Sequence, residues 1–328
     1  MGGEARSASL RHFHDRVGNC FTGGGPSMIS SEATELNAYL RQELKETRAF
    51  EQPVDDVRVL WEEFGQSIPN YSPDITIEPV DAEGVGAEWV TAPGVTGDRV
   101  LLQFHGGGFV IGHPDTYRNF NARISEALGA RVLAADYRLA PESPFPAAVD
   151  DTLATYKWAL SQGHKPENIG FVGESAGGNL VLSTLLAARD AGLPLPAAAV
   201  AISPWFDLSL AGHTHASNEA ADPMIGPGLL GQWAEEYLNG ADAKSPLASP
   251  VFGDLSGLPP IYLMAGSTEV LLDDTHAMFE KLSKAGVDVR AEIVPEMPHI
   301  WPIFAYQIPE GQLAISRMAA FFGEHLIG

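Results

Sequence analysis

From residue 73 onward the chain alternates short apolar runs with helix-like stretches, and nothing else in the sequence constrains its fold as strongly. Residues 100–104, 132–135, 169–173, 198–202 and 261–265 are compact apolar runs, suited to strands buried on both faces. Residues 75–80 and 86–91 alternate like an antiparallel pair, and 289–294 read as one more strand. Helix-like segments fall near 116–128, 147–161, 176–190, 271–285 and 311–325. The pattern predicts an α/β fold with a mostly parallel central sheet. In such a sheet the chemistry belongs at the carboxyl ends of the strands, where loops and helix amino termini converge.

Ahead of this region, Ser30 and Ser31 precede Glu32 and an apolar series of Leu36, Tyr39, Leu40 and Leu44, which reads as a capped amphipathic helix. Val57, Leu60, Trp61 and Phe64 place a second apolar face on residues 54–64. The two helices either form a cap or pack onto the main domain as ordinary layers. Residues 1–29 lack a helical or strand period and read as a flexible or non-native leader. The expected division is a leader over 1–29, a helical cap over 30–72 and a catalytic domain over 73–328.

A chain of 328 residues with 45% hydrophobic content can bury a large core. Its formal charge of -22 repels phosphate backbones and anionic membranes, which argues against nucleic acid as a partner. The single cysteine, Cys20, cannot form an internal disulfide, and no cysteine set has zinc-ligand spacing. No apolar run is long enough for a signal peptide or a membrane span, so the expected compartment is the cytoplasm. A homo-oligomer is compatible with the sequence.

Gly173-Glu174-Ser175-Ala176-Gly177-Gly178 closes the run at 169–173 and is followed at once by a helical stretch. A G-x-S-x-G pattern alone arises often by chance. Between a strand and a helix it is a nucleophile elbow, a tight turn that needs glycine for clearance and leaves the serine hydroxyl at a helix amino terminus. His105-Gly106-Gly107-Gly108 follows the run at 100–104 and can present backbone N–H groups without side chains in the way, as an oxyanion hole requires. Gly107, Gly108 and Ala176 are the expected donors.

A serine hydroxyl needs a base to take its proton. Of the 10 histidines, His299 lies just after the last strand, whereas His105 belongs to the glycine loop, His276 to a predicted helix and His325 to the chain end. His213 and His215 form an H-x-H pair without a third ligand, so no metal is expected. The base needs a carboxylate from the loop after residues 261–265, where Glu269, Asp273 and Asp274 are available. Glu269 sits nearest the strand end, and the aspartates are placed to begin the next helix, so Glu269 is the expected acid. The order serine, acid, histidine is that of α/β-hydrolases.

Four features now stand together: His105 to Gly108, the stretch Asp136-Tyr137-Arg138-Leu139-Ala140-Pro141-Glu142 with Pro144-Phe145-Pro146, the elbow around Ser175, and Ser203-Pro204-Trp205. Jointly they resemble the bacterial esterases related to hormone-sensitive lipase. The resemblance runs from about residue 75 to the end. It implies an eight-stranded α/β-hydrolase domain, an amino-terminal cap over the site, no cofactor and a preference for short-chain acyl esters. One departure is visible: the family usually has Asp in an Asp-Pro-Leu-like context where this chain has Glu269-Val270-Leu271.

The resulting expectation is a serine carboxylesterase acting through Ser175, His299 and Glu269. Trp205, Phe206, Trp301, Trp61 and Phe64 are candidates for the substrate pocket, with core packing equally open to each. Arg138 and Glu142 are read as structural partners behind the glycine loop, and Glu174 as structural. The same constellation also serves lactone, amide or carbamate hydrolysis. A catalytically silent protein that holds a small ligand in the covered pocket is the remaining rival.

Overall fold

The computed structural model describes residues 29–328, so the leader assigned to 1–29, Ile29 apart, and the Cys20 reading lie outside the described residues. Eight strands form one sheet: β1 (Thr76–Asp81), β2 (Gly86–Thr91), β3 (Val100–Phe104), β4 (Arg131–Asp136), β5 (Ile169–Glu174), β6 (Ala198–Ile202), β7 (Ile261–Gly266) and β8 (Val289–Val294). Their spatial order is β1-β2-β4-β3-β5-β6-β7-β8. β1 pairs with β2, and β2 with β4, in antiparallel fashion; every other pairing is parallel. The expected fold class is therefore the observed one.

Burial explains the composition of the strands. Every residue of β3, β5, β6 and β7 is buried, which is why these read as continuous apolar runs. β1 is an exposed edge carrying Pro79, which cannot donate to a ladder and is tolerated at an edge.

Nine α-helices accompany the sheet among the described residues: α1 (Ser31–Leu40), α2 (Val54–Ser67), α3 (Arg118–Leu128), α4 (Ala147–Ser161), α5 (Ala176–Asp190), α6 (Thr214–Ser217), α7 (Pro227–Leu238), α8 (Leu272–Lys284) and α9 (Pro309–His325). α9 starts two residues before the predicted 311, because Pro309 occupies the first turn, where its missing N–H is not needed. α6 and α7 were not expected. For α7 the signal was present: Pro227 opens it, Leu230, Trp233, Ala234 and Tyr237 recur at helical spacing, and Asn239 ends it in the left-handed region.

Both amino-terminal helices form, but α1 ends at Leu40, short of Leu44, and Tyr39 is exposed instead of joining its buried face. Ser30 caps α1 by accepting from the Ala33 N–H at 3.0 Å, while its hydroxyl donates to Glu310 of α9. α2 buries Val57 and Trp61 and half-buries Leu60 and Phe64, so one face packs inward. Arg58 on the same helix donates to the carbonyls of Val110 and Ala140 and pairs with Glu142. No helix among the described residues is long and apolar enough to cross a membrane.

Candidate active site

Ser175 stands between β5 and α5 with φ 56° and ψ -119°. A positive φ in a non-glycine residue costs on the order of 1–3 kcal/mol and persists only where the surroundings enforce it. Here they do: the Ser175 N–H donates to the Ile202 carbonyl, and the Ser175 carbonyl accepts from Trp205 and Asn179. Glycine at 177 is obligatory, since a Cβ there would lie 1.9 Å from the Phe104 carbonyl oxygen. The turn therefore brings β3 and α5 into backbone contact beside the serine.

The loop after β3 is pinned peptide by peptide. Tyr137 donates its hydroxyl to the His105 carbonyl at 2.7 Å, and its ring stacks on the His105 imidazole. The Gly106 N–H donates to Glu174, and the Gly106 carbonyl accepts from His105 Nδ1 at 2.8 Å. Burial lowers the His105 pKa to about 4, so this imidazole is a neutral strut. The Gly107 carbonyl accepts from Val110 and Ile111. Gly107 has φ 118°, and a Cβ on it would meet the Ile111 carbonyl oxygen at 2.1 Å.

His299 lies five residues beyond β8 and is buried. Its Nδ1 is 2.8 Å from Glu269 Oε2. A carboxylate there makes Nδ1 the protonated nitrogen and leaves Nε2 to act as a base. Glu269 is fully buried after β7, and its other oxygen accepts from the Gly266 N–H and from Ser203 Oγ, the latter at 2.8 Å. Burial raises the Glu269 pKa against the opposing pull of His299 and Gly266. Ser203 in turn accepts from the Ile300 N–H at 2.9 Å, so one hydroxyl ties the loop carrying His299 to Glu269. Sequence reasoning placed Ser203 in a motif but missed this contact.

The other carboxylates have separate work. Asp273 accepts from the N–H groups of His213 and Thr214, and Asp274 from those of Phe206 and Asp207. Asp274 also pairs with buried His215 at 3.2 Å. His213 and His215 thus belong to the packing of α6 against α8, and among the described residues no cluster of His, Cys, Asp and Glu is arranged to hold a metal.

Ser175, His299, Gly107 and Gly108 face one cavity, walled by Phe50 and Trp61 from the amino-terminal segment and by Trp205 and Trp233. Of the predicted pocket residues, Trp61 and Trp205 line it. Phe206 and Trp301 are completely buried and are not on its wall. Phe64 stacks behind Trp61 with ring centres 4.9 Å apart. Phe50, Ile111, Met224, Ile225, Leu230, Trp233 and Ile300 complete the wall and were missed in the sequence. Arg138 does not support the glycine loop: its guanidinium pairs with Asp151 of α4. Glu142 does so indirectly, through Arg58.

Comparison with known proteins bears on the family and the fold. The family described as alpha/beta hydrolase fold matches residues 101–303. An acetyl-hydrolase of Streptomyces hygroscopicus is 45% identical over 251 residues, spanning 76% of this chain and 84% of that protein. An esterase of Acinetobacter venetianus is 32% identical over 251 residues, spanning 76% of this chain and 82% of that one. An esterase of the bacterial hormone-sensitive lipase family superposes with a TM-score of 0.86 at 41% identity, covering 92% of this chain and 100% of its own. EstE5, in crystals soaked with p-nitrophenyl butyrate, superposes with a TM-score of 0.85 at 43% identity, covering 90% of this chain and 98% of its own. The chain belongs to the α/β-hydrolase family, beside the bacterial esterases related to hormone-sensitive lipase, and is a carboxylic ester hydrolase.

Proposed function

We propose that the protein hydrolyses short-chain acyl esters through an acyl-enzyme on Ser175, with His299 as base and Glu269 as its orienting carboxylate. The contact between His299 Nδ1 and Glu269, with His299 and Ser175 on one cavity, carries this reading. Nε2 of neutral His299 takes the Ser175 proton as Oγ attacks the ester carbonyl. The oxyanion is held by the N–H groups of Gly107, Gly108 and Ala176, each worth roughly 3 kcal/mol in the transition state. His299 then protonates the leaving alcohol, and a water activated by the same nitrogen releases the acid.

Residues 30–72 act as a cap in this reading, because Phe50 and Trp61 belong to the cavity wall. The short-chain preference is supported by crowding: the Gly108 Cα abuts the Trp233 ring so closely that a Cβ would fall 1.9 Å from it. That EstE5 was soaked with a butyrate ester points the same way.

The test is Ser175→Ala, with fluorophosphonate labelling and a panel of p-nitrophenyl esters, lactones and anilides. The wild type should be labelled at Ser175 and prefer acetate and butyrate esters, and the variant should lose at least about 10⁴-fold in kcat. An unlabelled wild type, or faster turnover of the lactones or anilides, would contradict the proposal.

A further inference from the structure

Glu174 is a fully buried carboxyl next to the nucleophile, and the triad chemistry does not use it. Its side chain turns away from the cavity, toward the back of the glycine loop. Oε1 accepts from the Gly106 N–H at 2.9 Å and from Gln103 Nε2 at 3.1 Å. Gln103 passes the network on, its oxygen accepting from Asn121 Nδ2 at 3.4 Å. These partners are uncharged amides, and no cation pairs with Glu174 among the described residues. A Cβ on Gly106 would lie 3.0 Å from the Glu174 carbonyl oxygen and 3.3 Å from Ser175 Cβ. The Gly106 peptide is thus wedged between the elbow and this carboxyl, and the next two N–H groups of the chain belong to Gly107 and Gly108.

We propose that the Glu174 carboxyl is a positioning residue for the reaction, holding the Gly106 peptide so that the Gly107 and Gly108 N–H groups meet the oxyanion formed by attack of Ser175. The inference rests on the reading of Ser175 as nucleophile. An acceptor is needed at this place because a buried N–H without a partner drives the backbone to rearrange, and displacement of a preorganised donor by about 1 Å can cost 10²-fold in rate.

The protonation state completes the argument. Burial raises the Glu174 pKa to about 8. At neutral pH the group is therefore a neutral acid whose carbonyl oxygen receives the Gly106 N–H. Ionisation at higher pH places an uncompensated negative charge behind the loop that must stabilise another negative charge. The groups facing it from the neighbouring elements are Gln103 of β3, Asn121 of α3, the Gly106 peptide, His105, Tyr117 and Tyr137. Burial holds His105 at about 4 and moves both tyrosines well above their usual range. None of them titrates near pH 8, so an alkaline inflection there belongs to Glu174.

The experiment measures kcat and KM on p-nitrophenyl acetate from pH 6 to 10 for the wild type, E174A and E174Q, with fluorophosphonate labelling of each. The wild type should lose kcat as pH rises through about 8. E174A, which leaves the Gly106 N–H unpaired, should lose roughly 10–100-fold in kcat with little change in KM. E174Q should recover most of that loss and have no alkaline limb. Its amide oxygen can accept from Gly106 if Gln103 and Asn121 turn their amides over, and Asn121 Oδ1 has no partner to forfeit. If E174A does not fold, the E174Q profile carries the test alone. An alkaline limb in E174Q that matches the wild type, or wild-type kcat in both variants, overturns the proposal. Failure of the wild type to be labelled at Ser175 would instead bring down the reading on which it rests.

Discussion

Ser203 shows how much of the site hangs on single side chains. Its hydroxyl donates to Glu269 and accepts from the Ile300 N–H, so Glu269 and the loop carrying His299 share one oxygen. Ser203→Ala removes a hydrogen bond to a buried carboxylate, an interaction worth about 1.5–3 kcal/mol. We expect kcat to fall roughly 10–100-fold with KM nearly unchanged, as measured on p-nitrophenyl butyrate. Gly107 tolerates no side chain, because the clash is with the backbone at Ile111, which no rotamer change relieves. On the proposed mechanism Gly107→Ala should cost about 10²-fold or more in kcat, the loss seen when an oxyanion donor is removed. The placement of Ser175 after β5 and of His299 after β8 could be read from their neighbours in sequence. The role of Ser203 could not, because its partners lie 66 and 97 residues away.

Among the elements, α2 is the one whose docking bears most directly on the cavity. It contributes Trp61 to the wall and is fastened by Arg58, which spans the Val110 and Ala140 carbonyls and Glu142. Arg58→Ala should loosen α2, raise KM more than it lowers kcat, and speed limited proteolysis between residues 41 and 72. The Arg58 guanidinium lowers the Glu142 pKa to about 2. Its contribution is therefore full above the ordinary value of 4.5 and is lost as pH falls toward about 2. Glu142 is largely exposed, so salt screens the pair and the effect on stability is small. The helix α7 makes the complementary point about legibility. Its apolar spacing is as regular as that of α2, yet it stands among glycines and prolines between β6 and β7, and only packing reveals that Leu230 and Trp233 share a cavity with Ser175.

At the scale of the whole molecule, the buried Glu174 ties stability to pH. Its folded pKa of about 8 lies above the ordinary value of 4.5, so the folded chain keeps a proton that the unfolded chain releases. The associated stability is fully present below about 4.5 and is lost as pH rises through about 8. The melting temperature of the wild type, relative to Glu174→Gln, should therefore fall between pH 5 and pH 9. A constant difference across that range would show that the carboxyl is not held protonated by the fold. Much of this molecule is determined by its sequence alone. Apolar strands alternating with helices, glycines on either side of a serine, and a histidine beyond the last strand are local patterns, and strand, turn and helix geometry follow from near neighbours along the chain. Which groups meet is decided by tertiary structure, because each decisive contact joins separate strand ends. Glu269 reaches His299 across 30 residues and Glu174 reaches Gly106 across 68. The cavity wall likewise draws on Phe50, Trp61 and α7 at once. A buried carboxyl declares its partner and its protonation state only when the sheet has closed around it.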